Sequence, residues 1–188
     1  MSPRLRIFLA SSLLSVAADQ ASKIWVDSHV GYADRISVIE GFFYITHVRN
    51  PGAAFSTFLS LDPTLRLAFF IGVSLAAIGI IVSFYRKLAP GDRLSALALG
   101  LILGGALGNL IDRVTRGEVV DFLHFRLWTG YSWPDFNFAD SFIVTGVALL
   151  VLELLASEGE SRAASGSAPH AGRDGETLSS SERSSPPV

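Results

Sequence analysis

The chain has 188 residues, of which 49% are hydrophobic and only 17% charged, with mean hydropathy +0.43 and formal net charge −2. That is one domain's worth of chain, without the basic excess of a nucleic-acid binder. There is no cysteine, which excludes disulfides, thiol nucleophiles and Cys-ligated metals. The histidines (His29, His47, His124 and His170) are scattered with no pair at helical ligand spacing, which argues against zinc.

Arg4 and Arg6 precede an apolar run from Ile7 to Ala18. Two readings stay open on pattern. The run suits a cleavable signal peptide, with Ser15 and Ala17 as small residues near a cut. It also suits a retained first span over residues 5–26, close to the ~20 residues a helix needs to cross the hydrocarbon. Asp19 and Lys23 stand four apart with the acid first, the favoured order for a helical pair. Val38 to Val48 is rich in β-branched and aromatic residues and reads as strand, and Arg49-Asn50-Pro51-Gly52 reads as a turn.

Leu67 to Tyr85 carries no charged side chain and predicts a second span. A polar connection containing Pro90-Gly91 leads to a third, residues 94–111, in which Gly100, Gly104 and Gly108 line one face and permit close helix packing. Residues 112–137 read as a loop, and residues 138–156 as the fourth span. From Ser157 onward the composition predicts a disordered cytoplasmic tail, 158–188, after a four-helix membrane domain, 1–157. The fold expected is therefore an all-α membrane protein of four transmembrane helices, with a small extramembrane β-rich region between helices 1 and 2. Dense basic residues in the 86–93 connection, with Arg4 and Arg6, place both termini inside by the positive-inside rule. Lys23, Arg35, Arg49, Arg66, Arg113, Arg116 and Arg126 fall on the other side, so total counts decide less than local density.

Polar and ionisable residues collect where these apolar runs end, and such groups mark a site in a membrane protein. Asp19 and Lys23, Asn50, Asn109, Asp112 and Arg113, Asp121, Asn137 and Asp140 all fall on one side of the membrane. Asn109, Asp112 and Arg113 share a helix face, as do Asn137 and Asp140 if the fourth helix begins early enough. Asp121, within Val119-Val120-Asp121-Phe122-Leu123, and Asp140, among Phe138, Ala139 and Phe142, are the acids most subject to desolvation. Two such aspartates can share a proton and activate water. An ion- or proton-binding carrier and a purely structural set of ion pairs remain open on composition.

Five blocks add a resemblance. Asp19-Gln20-Ala21-Ser22-Lys23, Asn50-Pro51-Gly52-Ala53-Ala54-Phe55, Gly108-Asn109-Leu110-Ile111-Asp112-Arg113, Val119-Val120-Asp121-Phe122 and Phe136-Asn137-Phe138-Ala139-Asp140 resemble, in order, the motifs of the lipoprotein signal peptidases (signal peptidase II). These are bacterial intramembrane aspartyl proteases. The resemblance covers residues 5–156 and implies a retained first span in the cytoplasmic (inner) membrane, with the active site near the outer face. It implies that Asp121 and Asp140 are the catalytic dyad and that no cofactor takes part. The substrate it implies is a diacylglyceryl-modified prolipoprotein cut before the lipidated cysteine, and the inhibitor globomycin. Around the dyad it places Asp19, Lys23, Asn50, Gly52, Asn109, Asp112, Arg113 and Asn137 as substrate-binding or dyad-orienting residues. Asn109, Arg113 and Asn137 are expected to orient the dyad and Asn50 to close from the sheet. Asp19 and Lys23 are expected to shape the pocket, and Asp112 to be structural.

Overall fold

The computed structural model describes residues 1–52, 62–128 and 130–166, with side chains described as far as Gly159. Ala53, Ala54 and Phe55 of the second block, and the expected tail over 167–188, lie outside the described residues. Helices α1 (Pro3–His29), α2 (Pro63–Lys87), α3 (Arg93–Arg116) and α4 (Phe138–Gly166) carry a sheet made of β1 (Arg35–Ile39), β2 (Phe43–Asn50), β3 (Val119–Trp128) and β4 (Tyr131–Ser132). Three helices, α2, α3 and α4, are long and apolar enough to cross a membrane. The first is as long as they are, but its apolar content is diluted by the polar residues it buries.

Helix ends follow their local chemistry. Asp62 caps α2 by accepting from the backbone N–H of Thr64 and Leu65, with Pro63 in the first turn, where a missing N–H costs nothing. Gly117 ends α3 in the left-handed conformation that most side chains avoid.

Inside, the bundle joins an apolar cluster of Phe8, Ile81, Ala96, Leu99 and Leu103 to a polar and small-residue seam, and its outside is greasy. On α1 the buried stripe is Ser11, Ser15, Asp19 and Lys23, while Leu13, Leu14, Ile24 and Trp25 are exposed. Most of α2 and α4 likewise presents Val, Leu and Phe outward. In water such a surface would drive aggregation, whereas against lipid tails it costs nothing, and close packing of small residues holds the helices together. A Cβ on Gly100 would strike Ser11, one on Gly104 would strike Ser15, and one on Gly108 would strike Asp19. The glycine face therefore packs on α1 as expected. The pairing rises in step along both helices, so α1 and α3 run parallel. Gly105 meets Ala139, and Gly146 meets Ala98 and Ile102, so α4 runs antiparallel to α3. Lys23, Asp112 and Asp140 consequently gather at one end of the bundle. Arg4, Leu88, Ser95 and Glu153 gather at the other, where Arg4 bonds the Leu88 carbonyl and Ser95 bonds Glu153.

The sheet is antiparallel in the order β1-β2-β3-β4. Two sequence readings need correction here. The run Val38 to Val48 is not one strand but the two arms of a hairpin, turned at Gly41 with φ 76°. The 112–137 stretch is not a loop: α3 continues to Arg116 and β3 then pairs with β2. The β-rich region thus takes two strands from between α1 and α2 and two from between α3 and α4. Val26 and Val30 pack with Val120 and Phe122, fastening the sheet to the end of α1. At the other terminus α4 runs on to Gly166, beyond the expected span end at 156.

Candidate active site

Asp121 lies in the buried first half of β3, and Asp140 sits half-buried in the first turn of α4. Asn137 precedes that helix and builds its N-terminus. Its side-chain oxygen accepts from Asp140 N at 3.0 Å, while Asp140 Oδ2 accepts from Asn137 N at 3.3 Å. This reciprocal arrangement is a capping box, with an aspartate in place of the usual glutamate or glutamine. It fixes the Asp140 carboxylate at the positive end of the helix dipole.

No hydrogen bond joins Asp121 to Asp140 among the described residues; carboxamides stand between them. Asp121 accepts from Asn50 Nδ2 at 2.8 Å and from Asn137 Nδ2 at 2.7 Å, and Asp140 accepts from Asn109 Nδ2 at 2.8 Å. Which end of an amide faces an acid depends on what pins the other end. Asn50 Oδ1 accepts from Gly52 N at 2.9 Å, Asn137 Oδ1 from Asp140 N, and Asn109 Oδ1 from Lys23 Nζ at 3.0 Å. Each oxygen is held by an obligate donor, so each NH₂ is turned to an aspartate. The Asn50 turn also explains Gly52. Its φ is 89°, and a Cβ there would run into the Phe70 ring.

Behind this layer lies a buried ion cluster. Lys23 Nζ stands 2.8 Å from both Asp19 Oδ2 and Asp112 Oδ2, and all three side chains are fully buried. Asp19 Oδ1 accepts from Ala139 N at 2.9 Å, tying α1 to the start of α4. Asp112 accepts from Arg116 Nη1 at 2.7 Å and from Val120 N at 3.2 Å, tying α3 to β3. The structure thus brings Asp19, Lys23, Asn50, Gly52, Asn109, Asp112, Asn137, Asp121 and Asp140 into one connected network. Asp112 has its cations in Lys23 and Arg116, not in the adjacent Arg113. Arg113 stands apart from that ion cluster: its guanidinium lies over the Phe70 ring, 5.4 Å from the centroid, and reaches Asn109 O and Ser74 Oγ on α2.

The acids differ in electrostatics. Asp121 has no ion-pair partner among the described residues. Burial, with Asp140 adding to it, pushes its carboxyl up to about 7 from 3.8, against the opposing hydrogen bonds of Asn50 and Asn137. A carboxyl that titrates near neutrality beside a second carboxylate can supply acid and base together.

The sequence reading passed over several residues of this network. Gln20 donates to Asp19, the Gly108 carbonyl and Asp112, and accepts from Arg116. Arg116 pairs with Asp112 at four-residue spacing, a signal that was legible once α3 was extended past Ile111. Asp27 continues the stripe of Asp19 and Lys23 by one more turn. The contact of Phe70 with Gly52 and Arg113 had no sequence signal.

Comparison with known proteins agrees with this arrangement. Residues 11–156 match the family model described as signal peptidase (SPase) II. The lipoprotein signal peptidase of Geobacter sulfurreducens is 51% identical over 158 residues, 84% of this chain and 97% of that protein. That of Bacillus subtilis is 39% identical over 83% of this chain and 97% of its own length. A solved bacterial membrane enzyme superposes with TM-score 0.71 at 34% identity, covering 81% of this chain and 90% of that one. This multi-pass membrane protein therefore belongs to the signal peptidase II family, the aspartic peptidases of family A8.

Proposed function

We propose that the chain removes signal peptides from prolipoproteins, cutting before a diacylglyceryl-modified cysteine with a water activated between Asp121 and Asp140. The observation that carries this reading is the pair of acids oriented by three carboxamides, with no ion pair to either acid among the described residues. The names of the related lipoprotein signal peptidases support the substrate class.

Asp140 takes a proton from water as the water oxygen attacks the scissile carbonyl carbon. Asp121, protonated, donates its proton to the carbonyl oxygen, giving a neutral gem-diol. Collapse returns a hydroxyl proton to Asp121, and Asp140 passes its proton to the departing nitrogen as the C–N bond breaks. A carboxylic acid and the free amine of the lipidated cysteine result, with both aspartates as they began. Asn109 and Asn137 orient the dyad, Asn50 closes from the sheet, and Arg113 orients the substrate backbone. Asp19, Lys23 and Asp112 shape the pocket from behind, and Gly52 sets the Asn50 turn.

The peptidase unit is residues 1–157, with α1 retained as a span. Arg4, Arg6, Arg86, Lys87 and Arg93 cluster at the end of the bundle opposite the dyad, which supports cytoplasmic termini and an active site near the outer face. Purified protein given a diacylglyceryl-modified prolipoprotein should release the signal peptide with the mass of a cut just before the cysteine. Globomycin should block the reaction and EDTA should not. Failure to cleave, or a cut elsewhere, would overturn the reading.

A further inference from the structure

Asp27 stands where three elements meet, one turn beyond Lys23 on α1. Its Oδ1 accepts from Arg49 Nη2 at 2.7 Å and its Oδ2 from Arg116 Nε at 3.1 Å. The buried His47 ring donates from Nδ1 to the Val30 carbonyl at 2.8 Å, since a carbonyl can only accept. That leaves Nε2 facing Asp27 Oδ1 at 3.2 Å, an ion-pair approach when the ring is protonated. Arg49 of β2 is thus fastened to α1 through Asp27, His47 is tied to the end of α1 through the Val30 carbonyl, and the same Asp27 carboxylate reaches α3 through Arg116.

Both fastened residues lie in the half of β2 that needs an outside anchor. The β2–β3 register shifts between Ile45 and Val48, so only Val48, Arg49 and Asn50 pair with β3 beyond the irregularity. Pairing with β1 stops at Thr46. A short strand end with one paired neighbour is the kind of segment that opens locally at little cost. Asn50 is its last residue, and the Asn50 carboxamide must stay on Asp121. The backbone sets its register; Asp27 ties the strand end down.

We infer that Asp27 is a positioning residue of the peptidase: by holding Arg49 it fixes the end of β2 and, through it, the Asn50 carboxamide on Asp121. The inference rests on the assignment of Asp121 to the dyad. Asp27 lies outside all five motif blocks, and it touches neither acid of the dyad.

The test compares wild type with Asp27→Ala, the nearly isosteric Asp27→Asn, Asn50→Ala and the Asp27→Ala/Asn50→Ala double variant. Each is the full chain in detergent with a diacylglyceryl-modified prolipoprotein, and rates are taken per folded molecule. Misplacement of a group at the reacting centre costs rate more than affinity, so Asp27→Ala should lower kcat by about ten-fold with KM moved by less than about two-fold. The Asn50 bond favours ionised Asp121, so loosening it should move the alkaline limb of the pH–rate profile upward, as Asn50→Ala itself does. Residues acting through one another do not add, so the double variant should be no slower than Asn50→Ala alone. Unchanged kcat, a fall in kcat with an unmoved profile, or multiplying effects would overturn the inference. If Asp27→Ala does not fold, Asp27→Asn carries the same comparison. Asp121→Asn separates the two levels. Activity in that variant sinks the dyad assignment, whereas its inactivity beside a wild-type profile in Asp27→Ala sinks only the role of Asp27.

Discussion

Asp19, Asp112, Asp121 and Asp140 lie at one end of this bundle and form two pairs of opposite character. Asp19 and Asp112 are fully buried and flank Lys23, with Arg116 completing the charge balance. Asp121 and Asp140 lie a few bonds away and receive amide N–H donors without an ion-pair partner among the described residues. A cation at contact distance ties a carboxylate to its neighbours and makes it a strut. Amide donors orient a carboxylate while leaving its proton exchangeable. Asn109 joins the two pairs, because Lys23 pins its oxygen and Asp140 receives its NH₂. The ion cluster therefore serves the dyad by orienting an amide.

The comparison can be broken most severely at Lys23. Lys23→Met leaves Asp19 and Asp112 buried without the cation between them, and breaking a buried pair in this way costs about 3–5 kcal/mol. The expected result is a large drop in thermal stability in detergent, read by an unfolding scan. A melting point equal to wild type would show that the cluster is not a strut.

A subtler break is Gly52→Ala. The new methyl meets the Phe70 ring on a backbone that side chains rarely adopt, so the Asn50 turn must shift. A misplaced orienting group costs on the order of ten- to a hundred-fold in rate, so kcat should fall on that scale while most of the stability remains. A wild-type kcat in Gly52→Ala, or a loss in Gly52→Ala beside a wild-type-like Asn50→Ala, would deny the turn its role.

The smallest effect is one of pH. Asp121 is held up at about 7 in the folded chain against 3.8 without its surroundings, so the folded state holds this proton more tightly. Its contribution to stability is full below about 4 and is lost as pH rises through about 7. Thermal stability should decline over that window in wild type, and the decline should be absent in Asp121→Asn. The peptidase rate should fall above about 7, as the acid that protonates the carbonyl oxygen is lost.

Much of this was legible in the sequence, for reasons that also explain what was not. Unbroken apolar runs announced the long helices, and glycines four apart announced the face of α3 that meets Ser11 and Ser15. The apolar neighbours of Asp121 marked it as a desolvated acid, whereas Asp140 is half-buried and the fully buried acids are Asp19 and Asp112. β3 was hidden because Val119 to Phe122 is buried on both faces, which erases the two-residue alternation of a strand. The end of α3 was hidden because Asp112 and Arg113 close the apolar run, while the helix itself continues to Arg116. Two of the three amide oxygens are pinned locally, Asn50 by Gly52 and Asn137 by Asp140, whereas the pinning of Asn109 by Lys23 joins residues far apart in the chain. No local pattern encodes it.

The most direct measurement replaces each of the four acids by asparagine, one at a time, and records both cleavage rate per folded molecule and melting temperature. Asp121→Asn and Asp140→Asn should lose cleavage by at least about 10³-fold, within the range that positioned acid–base groups supply, and keep their melting temperature at the pH of assay. Asp19→Asn and Asp112→Asn should lose melting temperature first and rate less. Cleavage surviving in either of the first two, or a rate collapse in the second two with stability intact, would contradict the division of the four acids into dyad and strut.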